Sequence, residues 1–342
     1  MTAEQPSLVR QLLEALPDPA LLFDHQRRLA AANAASRELF DLRDEPYTPS
    51  QALGTAHLAD LVDEAADSGR LVRIQLTLEG RDLEITASPV GDDIVLLLRD
   101  QTARSRVDAI RRDFVANASH EMKTPVSGIQ ALADALTVTL ERGDDQRSRD
   151  LAVRLGEEAA RLGRLVTELL SLRRLEDEDE PSRSPVDLVS LVVEELDRIA
   201  ERASSHGIRV SRELPDTAVV AGSEPDLRLV VSNLVENAVG YNRDGGRLAV
   251  TLRSWDGTWE LEVADSGIGI PRRDLDRIFE RFYRVDVGRS RAAGGTGLGL
   301  AIVRHAVERH GGSVRVHSIL GEGTTFTVEL PVQPGAVVGR PT

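Results

Sequence analysis

Phe114-Val-Ala-Asn-Ala-Ser-His120-Glu-Met-Lys-Thr124-Pro125 is the stretch from which the rest of the chain can be read. Ile110, Phe114 and Ala118 fall on one helical face, and the pattern runs on past His120. Glu121 follows His120 directly, and Thr124 stands four residues on, one turn along the same face. A neutral imidazole is a good nucleophile, and a neighbouring carboxylate can orient it and take its proton, so this pair can accept a phosphoryl group. The Thr124 hydroxyl can position a water. Pro125 removes an amide donor and is expected to loosen or bend the helix just after the site. A buried helical histidine beside a kink is the plainer alternative, and the choice rests on what stands elsewhere in the chain. His25, His57, His206, His305, His310 and His317 have no such setting and read as surface or structural residues.

Downstream, the polar break Glu141-Arg-Gly-Asp-Asp-Gln146 separates this helix from a second one. Leu151, Leu155, Leu162, Leu165, Leu169 and Leu172 form a heptad-like seam along it. Two long helices with a short loop make an antiparallel hairpin. Its apolar stripe exceeds what one hairpin can hide, so two copies are expected to pair as a four-helix bundle, a homodimer. The acidic run Glu176-Asp-Glu-Asp-Glu180 and Pro181-Ser-Arg-Ser-Pro185 then read as a solvated hinge.

Upstream, Ala20–Asp24 and Arg28–Ala32 look like a strand pair across a polar turn, with a helical stretch at Ala34–Phe40. Val72, Ile74, Leu76 and Leu78 alternate with mostly polar residues, as do Leu83, Ile85 and Ala87, and Ile94–Leu98 is a short apolar run. Period-two alternation predicts strands with one buried face. Beyond the hinge, helices are expected at 187–206, 224–242 and 297–310, with strands near 208–212 and 218–221 and further strands between the last two helices, giving a helical layer over a mixed sheet. The Pro/Gly-rich tail from Gln333 is expected to be disordered.

That last region carries four clusters. Asn233-Leu-Val-Glu236-Asn237-Ala-Val-Gly-Tyr241-Asn242 sets two amides four residues apart on one helix face, and amide carbonyls are hard oxygen ligands that suit Mg2+. In Asp265-Ser-Gly267-Ile-Gly269-Ile-Pro271 a carboxylate can accept from an adenine amino group, while the glycines let backbone come close. Phe279-Glu-Arg-Phe282-Tyr283-Arg284 gathers three aromatics in a chain that is only 3% aromatic, with Arg284 as a bidentate phosphate donor. Gly294-Gly295-Thr296-Gly297-Leu298-Gly299-Leu300 leads into an apolar helix whose N-terminal amides attract phosphate. The preceding Val287–Ala293, with Arg289 and Arg291, reads as a flexible lid. Gly321–Phe326 closes the sheet and carries Thr324.

Composition narrows the classes further. With 342 residues there is room for two or three domains. A net charge of −14 makes direct nucleic-acid binding a poor fit. The absence of cysteine excludes disulfides and thiolate metal sites, and fits a reducing compartment. Neither a P-loop nor a strand–Gly-x-Gly-x-x-Gly–helix unit occurs. No apolar run approaches a spanning helix and no leader pattern opens the chain, so the expected location is cytoplasmic. Membrane association enters only if the chain is truncated at its N-terminus.

Ser119-His120-Glu121-Met122-Lys123-Thr124-Pro125 closely resembles the H-box of sensor histidine kinases, and the four clusters resemble that family's N-, G1, F and G2 boxes. Residues 7–98 resemble a PAS sensor domain by pattern. The resemblance implies a multidomain α+β architecture: a PAS-like α/β sensor at 7–98, the helical linker and dimerisation/phosphotransfer hairpin at 99–180, and a Bergerat-type α/β sandwich binding ATP at 186–332. It also implies ATP and Mg2+ as cofactors, autophosphorylation of His120 with Glu121 as general base, and transfer to an aspartate of a response regulator, with Thr124 serving the reverse phosphatase reaction. Asn237 is the implied principal Mg2+ ligand, assisted by Asn233 and Glu236. Tyr241, Asp265, Gly267, Gly269, Arg284, Gly295, Thr296, Gly297, Leu298, Gly299 and Thr324 are the implied nucleotide contacts. Gly240 stands where the family often has a lysine, which puts ATP affinity in question. The overall match looks most like the phosphate-responsive sensor kinases of actinobacteria. The competing readings are a PAS/ATPase dimer acting mainly as a response-regulator phosphatase or scaffold, and an ATP-driven clamp on the same fold.

Overall fold

In the computed structural model of the chain, residues 8–42, 47–54, 56–78, 80–177, 184–285 and 295–332 are described. The expected lid at 287–293, Gly294, most of the hinge and the tail from 333 lie outside them. Two compact units result, Met1–Asp113 and Phe114–Thr342.

The first unit opens with α1 (Leu8–Glu14) and holds one antiparallel five-stranded sheet. Its strands are β1 (Ala20–Phe23), β2 (Leu29–Ala32), β3 (Val72–Leu78), β4 (Arg81–Val90) and β5 (Asp93–Asp100), in the order β2-β1-β5-β4-β3. Alternation carries these strands: Leu83, Ile85 and Ala87 of β4 and Ile94, Leu96 and Leu98 of β5 are buried. They share a core with Leu58, Leu61, Val62 and Ala65 of α4 (Ala56–Ser68), which follows α2 (Ala34–Phe40) and α3 (Pro49–Leu53). Asn33, 1% exposed, caps α2 and ties it to the sheet. Its Oδ1 accepts from the amides of Ala20 and Ser36, and its Nδ2 donates to the carbonyls of Leu16 and Asp18. Every polar position of that buried side chain is thereby satisfied.

The helices α5 (Thr102–Glu141) and α6 (Asp145–Asp177) form the expected hairpin. Gly143 turns the chain at φ +70°, Ser148 Oγ meets Thr139 Oγ1 at 3.1 Å, and Gly128 lies against Glu158, so the helices run antiparallel. Helix α5 runs on through a buried Pro125 to Glu141. Leu165, Leu172 and Leu175 are buried, whereas Val115, Leu140, Val153 and Leu170 are between 58% and 64% exposed.

The rest of the second unit is a sandwich. Its sheet runs β11-β12-β10-β9-β7, built from β7 (Arg209–Glu213), β9 (Arg247–Trp255), β10 (Thr258–Asp265), β11 (Ser313–Ile319) and β12 (Gly323–Pro331). All pairs are antiparallel except β7 with β9. The helices α7 (Leu188–Ser205), α8 (Glu224–Gly240) and α9 (Gly299–Arg309) cover it, with Leu191, Leu234, Leu248, Leu261, Ile302 and Val328 in one continuous core. A two-stranded sheet pairs β6 (Ser184–Asp187) with β8 (Val219–Gly222). The end of the expected hinge, Ser184-Pro185, is therefore strand, because a two-stranded sheet offers proline an edge where no donor is needed. Among the described residues no helix is long and apolar enough to cross a membrane.

Candidate functional site

His120 and Glu121 lie at the middle of α5, with His120 exposed and Glu121 half-buried. Thr124 Oγ1 donates back to the His120 carbonyl at 3.4 Å, a long bond that leaves the hydroxyl available to other partners. The two residues open, with Asn117, onto a cleft of about 410 Å3 whose far wall is Arg277, Glu280, Arg281, Phe282 and Tyr283. The helix is seated there by aromatic and ionic contacts. The Phe114 and Phe282 rings lie 5.9 Å apart, Arg281 stands over the Phe114 ring, and Arg281 pairs with Glu176 of α6 at 2.7 Å.

The wall is itself braced. Tyr283 donates to Asp274 at 2.8 Å and stacks under Arg277. Phe279 meets Phe326 edge-on at 6.4 Å and belongs to the core behind the wall. Phe282 takes φ +63°, and its amide donates to the Gly297 carbonyl at 2.8 Å. A Cβ on Gly297, itself at φ +76°, would come within 2.8 Å of Phe282. The aromatic cluster and the second glycine cluster therefore fit as a pair, which explains glycine at 297 more directly than phosphate approach does.

Asp265 ends β10 directly opposite Thr324 of β12. Burial pushes its carboxyl up to about 6, against hydrogen bonds from the amides of Gly267 and Thr324 that favour the charged form. Thr324 Oγ1 meets Ser318 Oγ at 2.9 Å. A Cβ on Gly267 would overlap the Tyr241 carbonyl, which accepts from the Ile268 amide; one on Gly269, at φ +68°, would overlap the Ile319 carbonyl. This turn thus packs on the C-terminus of α8, bringing Asp265 towards the asparagine helix.

On α8, Asn233 Nδ2 donates to the Leu229 carbonyl, and its Oδ1 stands where a Cβ on Gly299 would be, so this glycine lets the N-terminus of α9 close on the asparagine. Asn237 is half-buried one turn further, and its carbonyl caps Tyr241. Glu236 is held by Arg198 of α7 at 2.5 Å. Leu298 is buried under the start of α9, and Gly295 and Gly299 flank it half-buried. Arg284 carries two buried guanidinium nitrogens next to Tyr283. The guanidinium of Arg202 lies 3.5 Å from the Cβ position of Gly240.

These residues fall into two groups. Asn233, Tyr241, Asp265, Gly267, Gly269, Gly299 and Thr324 are knit into one neighbourhood, whereas His120 and Glu121 face the 277–283 wall, and none of the expected nucleotide contacts lines their cleft. Thr296, 7% exposed, is tied instead to the hairpin: its hydroxyl donates to Glu168 of α6. Burial raises the Glu168 carboxyl to about 7, with the Thr296 bond and Arg164 opposing and Glu236 adding to the rise. Asp226, 1% exposed on α8, joins Arg174 of α6 at 2.5 Å and Arg309 of α9 at 3.5 Å. Sequence reasoning missed Glu168, Asp226, Arg281 and Glu176, since each works through a partner more than 50 residues away and none has a local pattern.

Residues 222–334 match the family model of histidine kinase-, DNA gyrase B- and HSP90-like ATPases. Residues 110–178 match the His Kinase A phospho-acceptor domain, and 13–106 the PAS fold. The sensor-like histidine kinase SenX3 of Mycolicibacterium smegmatis is 42% identical over 70% of this chain and 62% of its own length. The sensor protein SrrB of Staphylococcus aureus is 29% identical over 94% of this chain and 55% of its own. This chain thus spans less than two thirds of the length of either relative. Among solved structures, histidine kinase ThkA in complex with response regulator protein TrrA is similar with a TM-score of 0.55, 18% identity and coverage of 95% of this chain and 98% of that one, a likeness of fold.

Proposed function

This chain belongs to the sensor histidine kinases of two-component systems, and we propose that it transfers the γ-phosphoryl group of ATP to a ring nitrogen of His120 and passes it on to an aspartate of a response regulator. The observation that carries the proposal is that His120 and Glu121 share one compact unit with Asp265 and the asparagine helix, His120 being exposed and opening onto a cleft. Glu121 takes the imidazole proton as the nitrogen attacks phosphorus and the bond from phosphorus to the bridging oxygen breaks. Asp265, ionised, accepts from the adenine amino group. Asn237, with Asn233, offers amide oxygens suited to Mg2+, and bound Mg2+ would neutralise charge on the phosphates. Glu236 joins that set only on leaving Arg198, which makes it the weaker candidate. Arg202 supplies the cation that Gly240 lacks.

In this arrangement Thr296 is held by Glu168, and His120 faces the aromatic wall rather than the asparagines. Transfer therefore requires the sandwich to move along the hairpin, and the arrangement described is a resting one. The exposed Val115, Leu140, Val153 and Leu170 support pairing of two hairpins as a homodimer. Thr124 is exposed one turn beyond His120, which supports a role in orienting a water for the regulator-phosphatase reaction.

Incubation with γ-32P-ATP and Mg2+ tests the reading. The expected result is acid-labile, alkali-stable label on the wild type and none on His120→Gln or Asn237→Ala. Label that survives His120→Gln would overturn it, and ATP binding without label in the wild type would favour the phosphatase reading.

A further inference from the structure

The mechanism above leaves the two arginines of the cleft wall without a task. Arg281 is half-buried, fixed over the Phe114 ring and paired with Glu176 at 2.7 Å. Arg277 stacks on Tyr283 and meets Glu280 at 3.4 Å. Both line the same cleft as His120. Three carboxylates, Glu121, Glu176 and Glu280, outnumber these two cations by one, beside an imidazole that carries no charge when neutral. A phosphoryl group on His120 would add close to two negative charges and three acceptor oxygens to that cleft. The cleft cannot keep its present pairing once that happens. Guanidinium binds phosphoryl oxygens through a two-pronged fork, and a dianion competes well against a single carboxylate.

We propose that Arg281 is the receptor for the phosphorylated state of His120, releasing Glu176 when it turns to the phosphoryl group. Glu176 lies in the last turn of α6, at the exit of the hairpin towards the sandwich. The exchange therefore reports the loading of His120 to the junction between hairpin and sandwich. Arg277 serves as a second, more exposed donor. Arg281 is a positioning residue here: it acts on the product of the transfer and has no part in bond making. The inference rests on His120 being the phosphoacceptor, and it is independent of ATP.

The test loads the full chain chemically with phosphoramidate. The His120 nitrogen attacks phosphorus, the phosphorus–nitrogen bond of the donor breaks, and ammonia leaves with the proton. The phosphohistidine is then followed by 31P NMR as a function of pH. In the wild type the phosphoryl group is expected to titrate about one pH unit below free phosphohistidine, the usual effect of an adjacent cation. Arg281→Ala should return it to the free value and Arg281→Lys should keep part of the shift. Glu176→Gln, which removes the competitor, should deepen it. Amide exchange in the last turn of α6 should quicken on loading in the wild type and be quick already in Glu176→Gln. Identical titration curves for the wild type and Arg281→Ala would overturn the proposal. Should Arg281→Ala fail to fold, Glu176→Gln decides alone, and an unchanged curve there overturns it equally. Loading by phosphoramidate but not by ATP would sink the kinase reading and leave this test intact; a chain that neither phosphoramidate nor ATP can load at His120 would overturn both.

Discussion

Two five-stranded sheets organise this chain, and they bury polar groups for different ends. In the first, Asn33 is enclosed with all its hydrogen bonds made, so it locks α2 onto β1 and has nothing left to offer. In the second, Asp265 is enclosed with two backbone donors while burial pulls its carboxyl towards the neutral form. A saturated buried group is architecture; a buried group held at odds with its surroundings has capacity for a ligand. The glycines follow the same division. Those of the first sheet turn the chain in open space at Gly80 and Gly91, whereas Gly267, Gly269 and Gly297 admit neighbouring backbone around the candidate nucleotide site.

The sharpest break of this contrast is Gly269→Ala. A Cβ there collides with the Ile319 carbonyl at a positive φ, and the expected loss is about 3 kcal/mol. Calorimetry should show the transition of the second unit falling while that of the first stays in place. Asn33→Leu is the reciprocal experiment. It strands the Ala20 amide and the Leu16 and Asp18 carbonyls, and should cost the first unit about 2 kcal/mol with nucleotide binding unchanged.

Asp265 provides a finer test through pH. Its folded value near 6 lies above the usual 3.8, so the unliganded fold gains from proton uptake at low pH and loses that gain as pH rises through 6. In the proposed site adenine binding has the opposite sign, because the ionised carboxylate is the stronger acceptor for the amino group. ATP affinity measured by calorimetric titration should fall below pH 6, by up to about tenfold per unit, and Asp265→Asn should flatten the profile. A profile that stays level in the wild type would remove Asp265 from the adenine site.

The smallest effect concerns Glu168. Its carboxyl is raised from 4.5 to about 7, so its contribution to the docked arrangement is present below about 4.5 and lost as pH rises through 7. The second unit should be less stable at pH 8 than at pH 6 by about 1 kcal/mol. Glu168→Gln, which keeps a hydrogen-bonding partner for Thr296 without the charge, should abolish the difference.

What the sequence made legible follows the range of the forces involved. The alternation of Val72, Ile74 and Leu76 and the leucine seam ending at Leu172 are local, and the strands and the hairpin stand where those patterns put them. The Asn, Asp and Gly clusters were legible because their spacing is local too, although the partner of each glycine was not: nothing near Gly299 announces Asn233. Pro185 concealed β6, whose register depends on β8, where Pro185 pairs with Ala221, 36 residues on. The ties of Thr296 to Glu168 and of Arg174 to Asp226 were invisible for the same reason. They span 128 and 52 residues and tie the hairpin to the sandwich.

The hydrogen bond from the Phe282 amide to the Gly297 carbonyl also has a consequence for how this family member can vary. It joins two backbone atoms, so it persists whatever side chain stands at 282, provided that residue tolerates the positive φ. Exchange at 282 is therefore limited by backbone conformation as well as by the contact with Phe114, and β-branched residues are the least welcome there.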